Sequence, residues 1–293
     1  MPQLHYVVLQ ITPRRQCRFL LITNEQYPTD AYDVLGCIGK PAKSAIPLLK
    51  RQSVTDDGTN LGRAKSLYAI QTLGGLGRIQ LRDIVAHLVR LLDDPLRAAA
   101  AASALGNIGS TASGALPALQ RRLSVALAAR SDDIAASIIS ALSVVAPPSI
   151  SLPTIVPLLE APGLGTAAAA ALQKIGPKAF AAVPFLIRRL DENTGTDWVS
   201  GHERVVDVNA LVAIDGASLL VRRRLLVEAI GDDESGATRD MSDIAALVAL
   251  DAMSPLPAEF APALERASRR TGDTTKASSY QLLLNHTRSR SVN

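Results

Sequence analysis

Basic residues recur along this chain in tight groups: Lys50-Arg51, Arg90, Arg121-Arg122, Arg188-Arg189, Arg222-Arg223-Arg224 and Arg269-Arg270. Guanidinium and ammonium groups set out along one surface attract carboxylates or phosphates. The row is therefore a candidate docking surface for an acidic protein segment or for a nucleic-acid backbone. A structural origin competes with both. Cations near helix C-termini are favoured by the helix dipole, and their long stems cover apolar ridges.

Other chemistries find little support. His5, His87, His202 and His286, with Cys17 and Cys37, are scattered without the ligand spacing of a zinc site. Cys37 reads as a small packing residue rather than a nucleophile. Gly74-Gly75-Leu76-Gly77 is glycine-rich, but it closes a helix in register with the other units and reads as a helix stop, not a phosphate cradle. The chain holds no Walker loop, no GxSxG and no HExxH. Trp198, the single tryptophan, stands beside Asp197 in a stretch expected to be a loop, where a loop-anchoring role is the simplest reading. No metal or cofactor is expected.

The elements that must carry the basic groups are set by a seven-fold echo. A leucine is followed three residues later by Ile, Leu or Val and then by a small or acidic residue: Leu35-Ile38-Gly39, Leu73-Leu76-Gly77, Leu105-Ile108-Gly109, Leu142-Val145-Ala146, Leu172-Ile175-Gly176, Leu211-Ile214-Asp215 and Leu247-Leu250-Asp251. The leucines are 38, 32, 37, 30, 39 and 36 residues apart. A period in the thirties marks a stacked helical array rather than a globule around one core. Lys50, Arg51, Arg90, Arg121, Arg122, Arg188 and Arg189 fall 15 to 17 positions after an anchor leucine. That register places them near the C-terminal end of the second helix of each pair. Arg222, Arg223 and Arg224 lie in a comparable part of their unit.

Local signals fill in the pairs. In the third unit Asp94 is the expected N-cap and Pro95 the first helical residue. A first helix then runs through Ala98–Ala102 to about Asn107, Gly109 stops it, and a second helix ends near Leu123. The fifth unit copies this. Pro47, Pro117 and Pro184 each stand 12 residues after an anchor and mark the start, or a bend, of the second helix. Residues 191–203 and 231–243 are polar and glycine-containing and are expected to be loops. Residues 1–30 break the pattern and are expected to form an irregular N-terminal cap, as a hairpin or a degenerate helix pair. The array is expected over 31–267. A C-terminal capping helix over 268–293 would follow, with a tail fraying from about Asn285.

Composition agrees with an all-α array. Hydrophobic residues make up 47% of the chain and aromatics only 3%, so the core must be built of Leu, Ile, Val and Ala. Scarce aromatics argue against a base-stacking platform. The net charge of +4 hints at an acidic partner. No apolar run is long enough for a membrane span, no signal-peptide order is present at the N-terminus, and two cysteines suit a reducing compartment. These features point to the cytoplasm.

The segments Leu105-Gly-Asn-Ile-Gly109 with Ala115-Leu-Pro-Ala-Leu119, Leu172-Gln-Lys-Ile-Gly-Pro-Lys-Ala179 with Val183-Pro-Phe-Leu186, and Leu35-Gly-Cys-Ile-Gly39 with Ala45-Ile-Pro-Leu-Leu49 resemble HEAT-like repeats of the bacterial, PBS-lyase type. The resemblance spans roughly 31–267 and implies a right-handed α-solenoid, a superhelix of about seven antiparallel helix pairs whose second helices line the concave side. In that family the fold is shared and the function varies, with interaction scaffolds most common. One branch resembles DNA glycosylases that grip duplex DNA on a basic face. Another resembles di-iron hydroxylases built on several His-Glu pairs, of which this chain has one, His202-Glu203. A third resembles bilin lyase subunits and related chaperones. The resemblance thus implies a non-catalytic scaffold for a protein partner, with Lys50, Arg51, Arg90, Arg121, Arg122, Arg188, Arg189, Arg222 and Arg223 as the partner-binding candidates and nucleic acid as the alternative. An enzyme or lyase- or chaperone-type subunit is the least favoured of the readings.

Overall fold

The computed structural model describes residues 46–55, 58–76, 81–195, 197–230, 240–253, 255–272 and 274–288. The expected cap over 1–30, the first anchor Leu35-Ile38-Gly39, Gly77, His5, Cys17, Cys37 and the polar stretch 231–239 lie outside the described residues. All regular structure among the described residues is helical, with no strand. The chain divides into two compact units, Met1–Pro147 and Pro148–Asn293.

The N-terminal unit contains α1 (Ile46–Val54), α2 (Asn60–Leu76), α3 (Leu81–Leu91), α4 (Ala98–Ile108), α5 (Leu116–Ala128) and α6 (Asp132–Val145). The anchors close α2, α4 and α6, and Leu73, Leu76, Leu105, Ile108, Leu142 and Val145 are all buried. These helices pack in succession, α2 on α4 and α4 on α6. Small residues set the spacing. A Cβ on Gly74 would lie 2.8 Å from Ala104 Cα, and one on Gly106 would lie 3.3 Å from Ala141 Cα. The alanine run of α4 thus serves close helix approach, and Ala98, Ala101, Ala102 and Ala104 are buried.

The C-terminal unit contains α7 (Pro148–Ile155), α8 (Gly165–Ile175), α9 (Val183–Glu192), α10 (Trp198–Asp215), α11 (Leu219–Ile230), α12 (Asp240–Ala252), α13 (Ala261–Arg270) and α14 (Thr274–Arg288). Again the anchors end the first helices: Leu172, Leu211, Ile214, Leu247 and Leu250 are buried in α8, α10 and α12. The packing order repeats, α8 on α10, α10 on α12 and α12 on α14.

Helix ends follow the expected stops. Gly109 and Gly176 adopt φ of +81° and +67°, which a side chain would resist, and their N–H groups donate to the anchor carbonyls of Leu105 and Leu172. A tight 3-10 segment then leads into α5 and α9, whose first turns hold Pro117 and Pro184. Pro47 is the second residue of α1. Each of these prolines is therefore a helix start, where its missing N–H costs nothing.

Four local expectations are corrected. The third unit's first helix becomes regular only at Ala98, because Asp94 first closes a turn: its Oδ1 accepts from Leu96 N at 2.9 Å and its carbonyl from Ala98 N at 2.8 Å. Helix α5 continues to Ala128, with Ala126 buried past the expected stop at Leu123. Residues 191–203 are not one loop, since α9 runs to Glu192 and α10 starts at Trp198. Asp197 caps α10 by accepting from Val199 N at 2.9 Å and Ser200 N at 3.1 Å, which turns a loop-like composition into a helix start. Helix α14 extends through Asn285 to Arg288, held by buried Tyr280, Leu283, Leu284 and Thr287.

Candidate functional site

In the N-terminal unit the predicted cations sit on second helices whose inner faces are buried. Helix α1 buries Ile46, Leu49 and Ser53 and turns Arg51 outward. Helix α3 buries Ile84, His87, Leu88 and Leu91 and exposes Arg82, Ala86 and Arg90. Helix α5 buries Ala118, Leu119 and Leu123 and exposes Gln120, Arg121 and Ser124. Arg121 and Arg122 stand in the middle of α5 rather than at its C-terminal end, because the helix is longer than expected. Lys50 of α1 pairs with Asp83 of α3, and that hydrogen bond holds the Asp83 carboxyl below its usual range. Arg121 reaches Asp93, just past α3, at 3.6 Å with both side chains exposed. These two contacts link α1 to α3 and the end of α3 to α5. Arg51 and Arg122 have no acidic partner among the described residues, and the buried Arg122 Nε has no hydrogen-bond partner there.

His87 is part of this layer. Ser53 Oγ donates to the Lys50 carbonyl at 2.7 Å, which spends its one proton. The 2.7 Å contact from Ser53 Oγ to His87 Nε2 is then a bond donated by the ring, and Nδ1 is left to accept from Arg90 at 3.4 Å. Burial, reinforced by the charges of Lys50 and Arg90, lowers the His87 pKa and keeps the ring neutral. Nearby, Arg97 donates to Ser66 Oγ at 3.0 Å and to the Val54 and Thr55 carbonyls at the end of α1. The sequence reading missed Arg97.

The C-terminal unit treats its cations differently. Arg188 pairs with Glu160, lies 3.8 Å from Glu192 and sits 5.6 Å above the Phe185 ring. Arg189 turns inward. Its Nε donates to Asp207 Oδ2 at 2.8 Å, and its other nitrogens reach the Leu159 carbonyl at 3.1 Å and Thr166 Oγ1 at 3.2 Å. Arg222 donates to the Gly216 and Pro255 carbonyls at 3.1 and 3.3 Å. Arg223 makes a two-point contact with Glu259 at 3.0 and 3.1 Å. Arg224 bridges Asp191 at 2.8 Å and Glu228 at 3.1 Å. Every predicted cation of this unit thus has a partner within the chain.

Two buried acids here were not anticipated. Asp207 lies wholly inside, with Oδ1 unbonded, and burial raises its pKa to about 7 against the pull of Arg189. Burial also opposes ionisation of Glu228, but hydrogen bonds from Arg204 and Ser242 and the charges of Arg204 and Arg224 outweigh it and hold its pKa low. Asp207 is the more deeply buried and shares Arg189 with Glu203, 3.7 Å from that arginine, while Glu228 is hydrogen-bonded by Arg204 and Ser242 and faces Arg224 as well. A signal existed in the sequence. Arg204, Asp207, Leu211 and Ile214 fall on one helical stripe, so two charges share the buried register of an anchor.

Trp198 does not anchor a loop. It opens α10, is 71% exposed and stacks on His202 at 5.7 Å. Glu203, the other half of the His-Glu dipeptide, bonds Asn193 and Thr166 at 3.4 Å.

The described residues are all-helical in their regular structure, and no helix among them is long and apolar enough to cross a membrane. No protein-family model and no curated protein matches the chain. Its fold is similar to the crystal structure of an engineered protein from the Northeast Structural Genomics Consortium, with a TM-score of 0.50 over 90% of this chain and 75% of that one. At 19% identity the likeness is one of fold alone.

Proposed function

We propose that this chain is a non-catalytic interaction scaffold, a HEAT-like α-solenoid whose second helices offer a curved, partly basic surface to an extended acidic partner. The observation that carries the reading is the division of labour between helices of the N-terminal unit. First helices bury the anchors, while second helices of the N-terminal unit hold guanidinium groups outward at Arg51, Arg90 and Arg121. A surface fixed by packed helices binds an extended chain with little ordering cost of its own. Two cysteines in 293 residues support placing it in the cytoplasm.

The test is fluorescence anisotropy with labelled poly-glutamate, followed by competition with duplex DNA at equal charge concentration. Poly-glutamate binding that weakens with salt and resists DNA is the expected result. Displacement by DNA at lower concentration than by unlabelled poly-glutamate would replace the reading with a nucleic-acid-binding solenoid.

A further inference from the structure

The two units differ in charge and, among the described residues, in how far that charge is already neutralised. Residues 1–147 contain 16 Lys and Arg against 10 Asp and Glu, and residues 148–293 contain 15 against 17. In the C-terminal unit Arg188, Arg189, Arg223 and Arg224 are bound to carboxylates and Arg222 to carbonyls. Arg189 is also largely covered: a Cβ on Gly165 would run into its Nη1, so the guanidinium sits against the first turn of α8. These side chains act as stitches between helices. In the N-terminal unit the exposed cations Arg51, Arg82 and Arg130 have no acidic partner among the described residues, and Arg121 has only a long contact between two exposed side chains.

Apolar side chains interleave with these cations. Leu48, Arg51 and Val54 are exposed at three-residue steps on α1, so two apolar groups flank one guanidinium on a single stripe. On α5, Arg121 and Val125 are exposed one turn apart. On α3, Arg82, Ala86 and Arg90 form a stripe at four-residue steps.

We infer that the outward stripes of α1, α3 and α5 are the docking surface of the scaffold, and that its partner is a polypeptide segment in which acidic and apolar side chains alternate. This rests on the scaffold reading and narrows it to one unit and one ligand chemistry. Guanidinium groups bind carboxylates in two-point geometry, and Leu48, Val54 and Val125 gain by burial against apolar partner side chains. A phosphate backbone would satisfy the cations and leave those apolar groups in water.

Calorimetry on the full chain separates the possibilities, with circular dichroism confirming equal helicity of all variants. The probes are a short synthetic peptide alternating Asp and Leu, poly-glutamate of the same charge, and duplex DNA. The alternating peptide should bind about tenfold more tightly than poly-glutamate, and Leu48→Ser with Val125→Ser should remove that advantage. Arg51→Glu with Arg90→Glu and Arg121→Glu should weaken it by about tenfold or more. The swapped pair Arg223→Glu with Glu259→Arg should leave it within about twofold. Equal affinity for the two acidic probes, or a larger loss from the swapped pair than from the triple variant, would overturn the inference while leaving the scaffold reading intact. Failure of the wild type to bind either acidic probe overturns both, and tighter binding of duplex DNA does the same in favour of nucleic acid.

Discussion

Arg204 of α10 and Glu228 of α11 face each other in a two-point ion pair, with Nε 2.8 Å from Oε1 and side chains 1% and 0% exposed. The arginine also donates to the carbonyls of Leu190 and Asn193 at the end of α9. It therefore closes the end of one helix and fixes the packing of two others. Burying two charges is tolerated here because nearly every polar atom is matched.

Breaking that pair from one side should be costly. Arg204→Met leaves Glu228 with Arg224 as its remaining cation and strips two carbonyls of a donor. The expected loss is about 3 kcal/mol, toward the low end for a broken buried pair because Arg224 stays. The double change Arg204→Met with Glu228→Met should recover part of it. Urea denaturation followed by circular dichroism reads both. A single variant within about 0.5 kcal/mol of wild type would show the pair to be dispensable.

Asp207 gives the C-terminal unit an unusual pH response. Its folded pKa of about 7 lies above the ordinary 3.8, so between those values the folded chain holds a proton that the unfolded chain has lost. Its contribution to stability is fully present below about pH 4 and is lost as pH rises through about 7. The slope from this one group is at most about 1.4 kcal/mol per pH unit. Asp207→Asn should remove that slope while still accepting from Arg189. Denaturation midpoints from pH 4.5 to 8 that slope alike in variant and wild type would contradict it.

His87 works in the opposite sense. Burial holds its pKa below the ordinary 6.5, so the unfolded chain takes up a proton first as pH falls. Its contribution is present above about pH 6.5 and is lost as pH drops through the folded value. The charged groups around the ring are Lys50, Arg90 and Asp83, two of them cations that resist a third. His87→Gln, which can still donate to Ser53, should flatten the acid limb of stability. A titration of the ring by NMR at or above its ordinary pKa would refute this.

Gly74 tests the close approach of α2 and α4. Helix propensity alone favours alanine over glycine by about 1 kcal/mol. Here the added Cβ would meet Ala104 Cα at 2.8 Å and Ala104 O at 2.9 Å, and backbone cannot yield as a side chain can. Gly74→Ala should therefore destabilise by about 1–3 kcal/mol through overpacking. Gly114→Ala, with nothing within 4 Å of the new Cβ, is the control. A rise in melting temperature for Gly74→Ala would show that the two helices slide apart freely.

Much of this architecture was written in local signals. The anchors, the glycine stops at Gly109 and Gly176 and the prolines at Pro117 and Pro184 act within a few residues of themselves, so spacing alone located the helix pairs. Asp197 was equally local, but its cap was hidden in a polar stretch that composition reads as loop. The basic groups were found as a row because charge is visible in a sequence. Whether a cation faces solvent or a carboxylate is another matter, since the partners Arg188–Glu160, Arg189–Asp207 and Arg224–Asp191 come from different helices.

The sequence by itself determined where the helices of the described residues start and stop, because helix periodicity, stops and starts are short-range effects of backbone and side-chain chemistry. Only the tertiary structure decided which arginines are stitches and which are outward, because that depends on acids 18 to 36 residues away brought close by packing. Arg188 and Arg189 make the point most sharply: adjacent in sequence and identical in type, they point about 100° apart around one helix, one exposed above Phe185 and one turned in against Gly165 and bonded to Asp207.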